Sequence, residues 1–124
     1  MNLRSILRSA LMLGFLLAPL AHADPSAGVE AEVNFLLADI ARSGCEFYRN
    51  GSWHGPKIAI AHLRDKFDYL VARNRINTTE DFIDRAATQS SLSGQAYEVK
   101  CAGGLPVTSS QWLREKLALL RVHR

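Results

Sequence analysis

Three combinations of side chains in this chain have chemistry worth testing against their spacing: serine with histidine, histidine with acid, and an arginine beside a turn. Ser90-Ser91-Leu92-Ser93-Gly94-Gln95 concentrates hydroxyls in one segment. A serine nucleophile needs a base within reach, and His62 is the one candidate. No nucleophile-elbow sequence surrounds Ser91 or Ser93. Hydroxyls after a helix more commonly cap its last carbonyls and make turns. His54, His62 and Asp65 do not form a zinc-ligand spacing, which needs three or four converging donors. His62 and Asp65, about one helical turn apart, suit a local hydrogen bond instead. No catalytic residue, metal or cofactor is therefore expected. Arg49 precedes Asn50-Gly51, a strong short turn signal because both residues tolerate positive φ. The turn does not require the arginine, which is a candidate for holding an anion or carboxylate.

These residues need elements to position them. Apolar Val29, Val33, Leu36, Leu37 and Ile40 recur at helical spacing, which predicts a helix from about Ser26 to Ser43 with Gly44 stopping it. A second helix is predicted from Pro56 to about Arg73, with Ala59, Leu63, Phe67, Leu70 and Val71 as its buried stripe. A third follows Thr78 or Thr79, where Thr78 with Asp81 approximates a capping box, and buries Phe82, Ile83, Ala86 and Ala87. A fourth follows Thr108, whose pair with Gln111 also reads as a capping box, and buries Trp112, Leu113, Leu117 and Leu120. Arg114, Lys116, Arg121 and Arg124 are expected to stay solvated and complement its C-terminal dipole.

Cys45 to Arg49 and Tyr97 to Cys101 read as strands. An antiparallel register placing Cys45 opposite Cys101 also sets Phe47 against Val99 and Arg49 against Tyr97. The other face then matches Glu46 with Lys100 and Tyr48 with Glu98. One register thus serves a disulfide, an apolar face and a charge pair. The expected fold class is mainly α (α+β): about four helices packed with a short two-stranded antiparallel ribbon and one disulfide. If the ribbon forms, Arg49, Ser91, Ser93, Gln95 and Tyr97 line one polar surface.

Ahead of this lies a segment with another purpose. Arg4 and Arg8 precede the uncharged run LMLGFLLAPL and then Ala21-His22-Ala23, the plan of a cleaved secretory signal over residues 1–23. The run is too short for a comfortable membrane span, which takes about 20 residues. Residues 24–124 are left as a single small helical domain, with no stable membrane insertion once the signal is cut. Cleavage removes two of the 15 basic residues and none of the 12 acidic ones, so the formal charge falls from +3 to +1. A near-neutral exported domain argues against nucleic acid as partner. Two cysteines in an oxidising compartment suggest a bridge, and no Cys-x-x-Cys spacing supports redox or metal chemistry.

Phe47-Tyr48-Arg49-Asn50-Gly51, then Ala61-His62-Leu63-Arg64 with Lys66, then Thr78-Thr79-Glu80-Asp81-Phe82-Ile83, then Ser90-Ser91-Leu92-Ser93-Gly94-Gln95 with Tyr97, follow one another in a single order. This run resembles the YfeK-like family of small secreted bacterial proteins, a domain of unknown function. The likeness extends from about Val29 to Lys100. It implies a single helical domain in the periplasm, and makes Arg49, Asn50, His62, Arg64, Ser91, Ser93, Gly94 and Tyr97 the positions of interest. It carries over no activity.

The reading that follows is a non-enzymatic binding or accessory protein of the cell envelope, periplasmic or secreted. Its partner would be an envelope protein or glycan, and its expected binding residues Arg49, Asn50, His62, Arg64, Ser91, Ser93, Gln95 and Tyr97. One alternative is an envelope hydrolase using a serine and His62. Another is an interaction scaffold docking through an exposed apolar patch.

Overall fold

Ser26 starts the first helix: its hydroxyl accepts the Val29 N–H at 3.3 Å, one of the donors a helix start leaves unpaired. The computed structural model describes residues 25–124 together with Gly14, so the expected signal, Gly14 apart, and its cleavage site lie outside the described residues. Helix α1 runs Ala27–Arg42 and buries the predicted stripe of Val29, Val33, Leu36, Leu37 and Ile40. Gly44 follows at φ +64°, the left-handed region that glycine occupies without Cβ strain. Helix α1 packs against each of the other three helices.

Helix α2 spans Pro56–Ala72 with proline in its first turn. Only Leu63 and Phe67 of its predicted stripe are fully buried, while Ala59, Leu70 and Val71 pack as partly buried neighbours. This helix lies at the margin of the core, where one flank can carry polar side chains. Helix α3, Thr79–Ala86, has a complete capping box: Thr78 Oγ1 accepts the Asp81 N–H at 3.0 Å and Asp81 Oδ2 accepts the Thr78 N–H at 3.2 Å. Helix α4, Ser109–Val122, differs from expectation. Thr108 Oγ1 accepts the Gln111 N–H at 3.2 Å, but the Gln111 amide donates to Glu115 at 3.1 Å instead of closing the box. Leu120, expected in the core, is half-buried.

The two expected strands pair antiparallel in the expected register. β1 (Glu46–Arg49) meets the third strand, β3 (Glu98–Lys100), with Glu46 opposite Lys100, Phe47 opposite Val99 and Tyr48 opposite Glu98. Cys45 and Cys101 form a disulfide just outside that ladder. The ribbon is not alone, however. Two short strands flank it, β2 (Ser52–His54) and β4 (Val107–Thr108), giving a four-stranded antiparallel sheet in the order β2-β1-β3-β4. Asn50 and Gly51, at φ +47° and +89°, turn the chain so tightly that Arg49 pairs with Ser52. A turn this short necessarily lays the next residues beside β1. Tyr48 and Trp53 then stack across the pair with centroids 5.3 Å apart. On the opposite face Phe47 meets Trp112 of α4 edge-on, at 6.1 Å, and closes the core. Two added strands also answer the marginal stability of an isolated ribbon.

Candidate functional site

Alternation along a strand puts residues i and i+2 on one face, so Arg49 shares the inner face with Phe47, and Tyr97 shares it with Val99. Both lie just past the end of the apolar core. On α2, His62 and Lys66 are four residues apart and present a common side. The sheet and the helix bring these four side chains into one hydrogen-bonded chain. Arg49 Nη1 lies 2.6 Å from His62 Nδ1, His62 Nε2 lies 2.9 Å from Tyr97 Oη, and Lys66 Nζ donates to Tyr97 Oη at 3.2 Å and to the Gln89 carbonyl at 3.1 Å.

The donors decide the protonation pattern. A guanidinium has only N–H donors, so Nδ1 of His62 must accept and carry no proton. Nε2 then bears the hydrogen and donates to Tyr97, whose oxygen receives a second bond from Lys66. Burial pushes the His62 pKa below its ordinary value, and the positive charges of Arg49 and Lys66 push it the same way; Asp65 opposes them. Burial, followed by the charge of Arg49, also lowers the Lys66 pKa. Burial raises that of the Tyr97 phenol, with Arg49 opposing. Among the described residues neither Arg49 nor Lys66 forms an ion pair.

Two hollows flank the His62–Tyr97 pair. Beside Arg49 is a small apolar one of about 30 Å³, walled by Phe47, Ile58, Ala59 and Leu63, room for little more than water. Beside Lys66 lies an open cleft of about 380 Å³ lined by His62, Asp65, Lys66, Tyr69, Leu70, Arg85 and Ser91. Its size falls in the range of small-molecule sites.

With this geometry in place, comparison with known proteins is informative. Residues 27–121 match the model of a family of unknown function, DUF5329. The chain belongs to that family. It is also similar to the uncharacterized protein YfeK of Salmonella typhimurium strain LT2, at 41% identity over 78 residues. That match takes in 62% of this chain and 63% of the Salmonella protein, so the chain spans under two thirds of that relative's length. No solved structure matches. The family resemblance read from the ordered motifs therefore holds, and function rests on the site itself.

Within this family member the remaining expected site residues fall into different places. Ser93 Oγ donates to Asn50 Oδ1 at 2.6 Å and accepts the Gln95 N–H at 3.2 Å, clipping the hairpin tip to the serine segment. Gln95 contributes its backbone to that clip. Ser90, not singled out from the sequence, is buried and its hydroxyl accepts the N–H groups of Leu92 and Ser93, which shapes the loop. Ser91 is exposed and borders the cleft. Arg64 is elsewhere: it donates to Asn34 Oδ1 of α1 at 2.8 Å. Two residues along a helix is a rotation of about 200°, so Arg64 points away from the flank that His62 and Lys66 share.

Both His62 ring nitrogens are engaged by Arg49 and Tyr97, and among the described residues no serine oxygen hydrogen-bonds to either. Nor do three His, Cys, Asp or Glu side chains converge as metal ligands among the described residues. Lys66, Tyr69 and Arg85 line this face without being among the binding residues expected from sequence. Lys66 was the most findable, since it follows His62 by one helical turn.

A second polar cluster, unforeseen in sequence, is structural. Glu32 is buried on the core side of α1. Its carboxylate accepts the Thr79 hydroxyl at 2.6 Å and two Arg121 bonds at 3.0 and 3.1 Å, with Arg124 adding a further contact. Arg121 also pairs with Glu80, and Arg114 with Asp84. Arg114, Arg121 and Arg124 thus remain exposed as expected and at the same time tie three helices together, Arg121 and Arg124 because a buried carboxylate needs charged partners.

Proposed function

We propose that this protein is a non-enzymatic binding or accessory protein of the bacterial cell envelope, acting through the face that Arg49, His62, Tyr97, Lys66 and the serine segment build. The observation that carries this reading is the polar chain itself. Residues from β1, α2 and the position just before β3 converge on two cations that no acid of the described residues pairs with. Holding a desolvated lysine next to an arginine costs folding energy, and uncompensated costs of this kind concentrate at functional sites. The disulfide and the signal-like leader support a periplasmic or secreted location. An envelope protein or glycan is the partner class available there, and the near-neutral charge of residues 24–124 does not favour nucleic acid.

Capture from envelope extract tests the proposal, with the oxidised protein and its Arg49→Glu variant side by side. Retention of a protein or glycan by the unaltered chain, lost in a folded Arg49→Glu variant, is the expected result. Equal retention by both would remove this face from the function.

A further inference from the structure

We propose that the cleft beside Lys66 binds the carboxylate or phosphate group of a small organic ligand. This deepens the reading of the same face as a binding surface and rests on it.

Unused hydrogen-bond donors make the case. Lys66 Nζ has three N–H groups and commits two, to the Gln89 carbonyl and to Tyr97 Oη. Among the described residues the third has no partner, and Lys66 lines the cleft. Those two bonds, with the Tyr97 ring centroid 5.0 Å from Nζ, fix the ammonium in place before any ligand arrives. Arg85 reaches the same cleft from α3. Arg85 Nε pairs loosely with Asp81 Oδ1 at 3.9 Å, beyond hydrogen-bond distance, so among the described residues none of its guanidinium N–H groups is committed to a hydrogen bond. Ser91 brings an exposed hydroxyl to the rim. Two cations and a hydroxyl therefore present donors around one opening, and a group with only acceptor oxygens answers them. Burial of Lys66 strengthens its pull on an anion by reducing the water that screens it.

The remaining lining says what else the ligand carries. At about 380 Å³ the cleft is far larger than a bare oxyanion. Tyr69 and Leu70 offer an apolar wall, and Arg73 stacked at 3.5 Å over the Tyr69 ring steadies that wall. Asp65, the one acid of the cleft, repels an oxyanion close to it and accepts from a hydroxyl. The ligand is thus polarised: its oxyanion toward Lys66 and Arg85, its hydroxylated body toward Asp65 and Tyr69. An acidic or phosphorylated sugar has this chemistry.

The test is a heteronuclear NMR titration of the oxidised protein at constant ionic strength with glucose 1-phosphate, glucuronate and neutral glucose. Saturable shifts at Lys66 Nζ, Arg85 Nε and the Ser91 amide with an acidic sugar, and none with glucose, are expected. A response to one acid alone identifies phosphate or carboxylate as the group recognised. Lys66→Gln and Arg85→Gln should each weaken binding about tenfold, while Arg42→Gln, on the exposed end of α1, should not. If loss of Lys66 disturbs the fold, exposed Arg85 carries the comparison alone. No saturable shift, an equal response to glucose, or an equal loss in Arg42→Gln would overturn the inference. Arg49-dependent capture from extract without any oxyanion response would overturn it and leave the broader binding role standing; failure of both would remove both.

Discussion

His62 sits between a group that can only donate and a phenol that accepts from it, and this fixes how it responds to pH. Protonation at Nδ1 would set two positive groups against each other at the 2.6 Å contact with Arg49. Burial is the larger cause of its lowered pKa, with Arg49 and Lys66 next. In the unfolded chain a histidine takes up its proton near pH 6.5; here it does so at lower pH. The stability linked to this group is therefore complete above about pH 6.5 and is lost as pH falls through the folded value. Imidazole proton–nitrogen correlation spectra should show the Nε2–H form at neutral pH and a midpoint below that of a free histidine. Reversing the neighbouring charge with Arg49→Glu should raise the midpoint. A midpoint at or above 6.5 in the unaltered protein would contradict the Arg49–His62 bond. Arg49, His62 and Tyr97 were legible as single residues because each is a polar side chain whose local turn, helix or strand does not require it. Lys66, part of the ordered motifs, was less legible as a site residue because a lysine on a helix is ordinarily solvated; only the fold shows that this one is half-buried against Tyr97.

Among the elements, helix boundaries followed the sequence closely wherever a capping residue marked them. The two N-terminal caps nevertheless differ in a way that stability measurements can resolve. At α3 the box is closed in both directions, and Asp81 is held below its ordinary pKa first by the Asn77 N–H, with the Thr78 N–H helping. At α4 only the Thr108 half forms. Thr78→Ala should cost about 1 kcal/mol or somewhat more. Thr108→Ala should cost less, since it removes no reciprocal partner. Urea unfolding of the two variants gives the comparison, and an equal or reversed order would count against the two-way box. The flanking strands were less legible. Two or three residues carry no usable alternation, so β2 and β4 are defined by the partners beside them rather than by their own pattern. For β2 the cue is Asn50-Gly51, a two-residue turn that folds the chain back along β1.

At the scale of the whole molecule, the disulfide joins positions 56 residues apart and ties the exit of α1 to the far end of β3. Removing it should release unfolded-chain entropy worth about 4 kcal/mol in the loop-closure model, a large share of the stability of a domain this size. Denaturant titration of the paired Cys45→Ser, Cys101→Ser protein against the oxidised one is the measurement, and a difference under about 1 kcal/mol would show that the helices and sheet suffice alone. The same bridge was inferable from sequence because one strand register satisfied three pairwise conditions at once, and pairing rules act between facing neighbours whose identities the sequence contains. Helical periodicity and capping are local in the same sense, so the helices and the central strand pair were determined by the sequence itself. What the tertiary structure decided was orientation. Whether α2 turns His62 and Lys66 or Arg64 toward the sheet depends on how Leu63 and Phe67 seat in the core. That Glu32 meets Arg121, 89 residues away, depends on how α1 and α4 pack. Neither is written in any local pattern, because packing is a property of all the elements together.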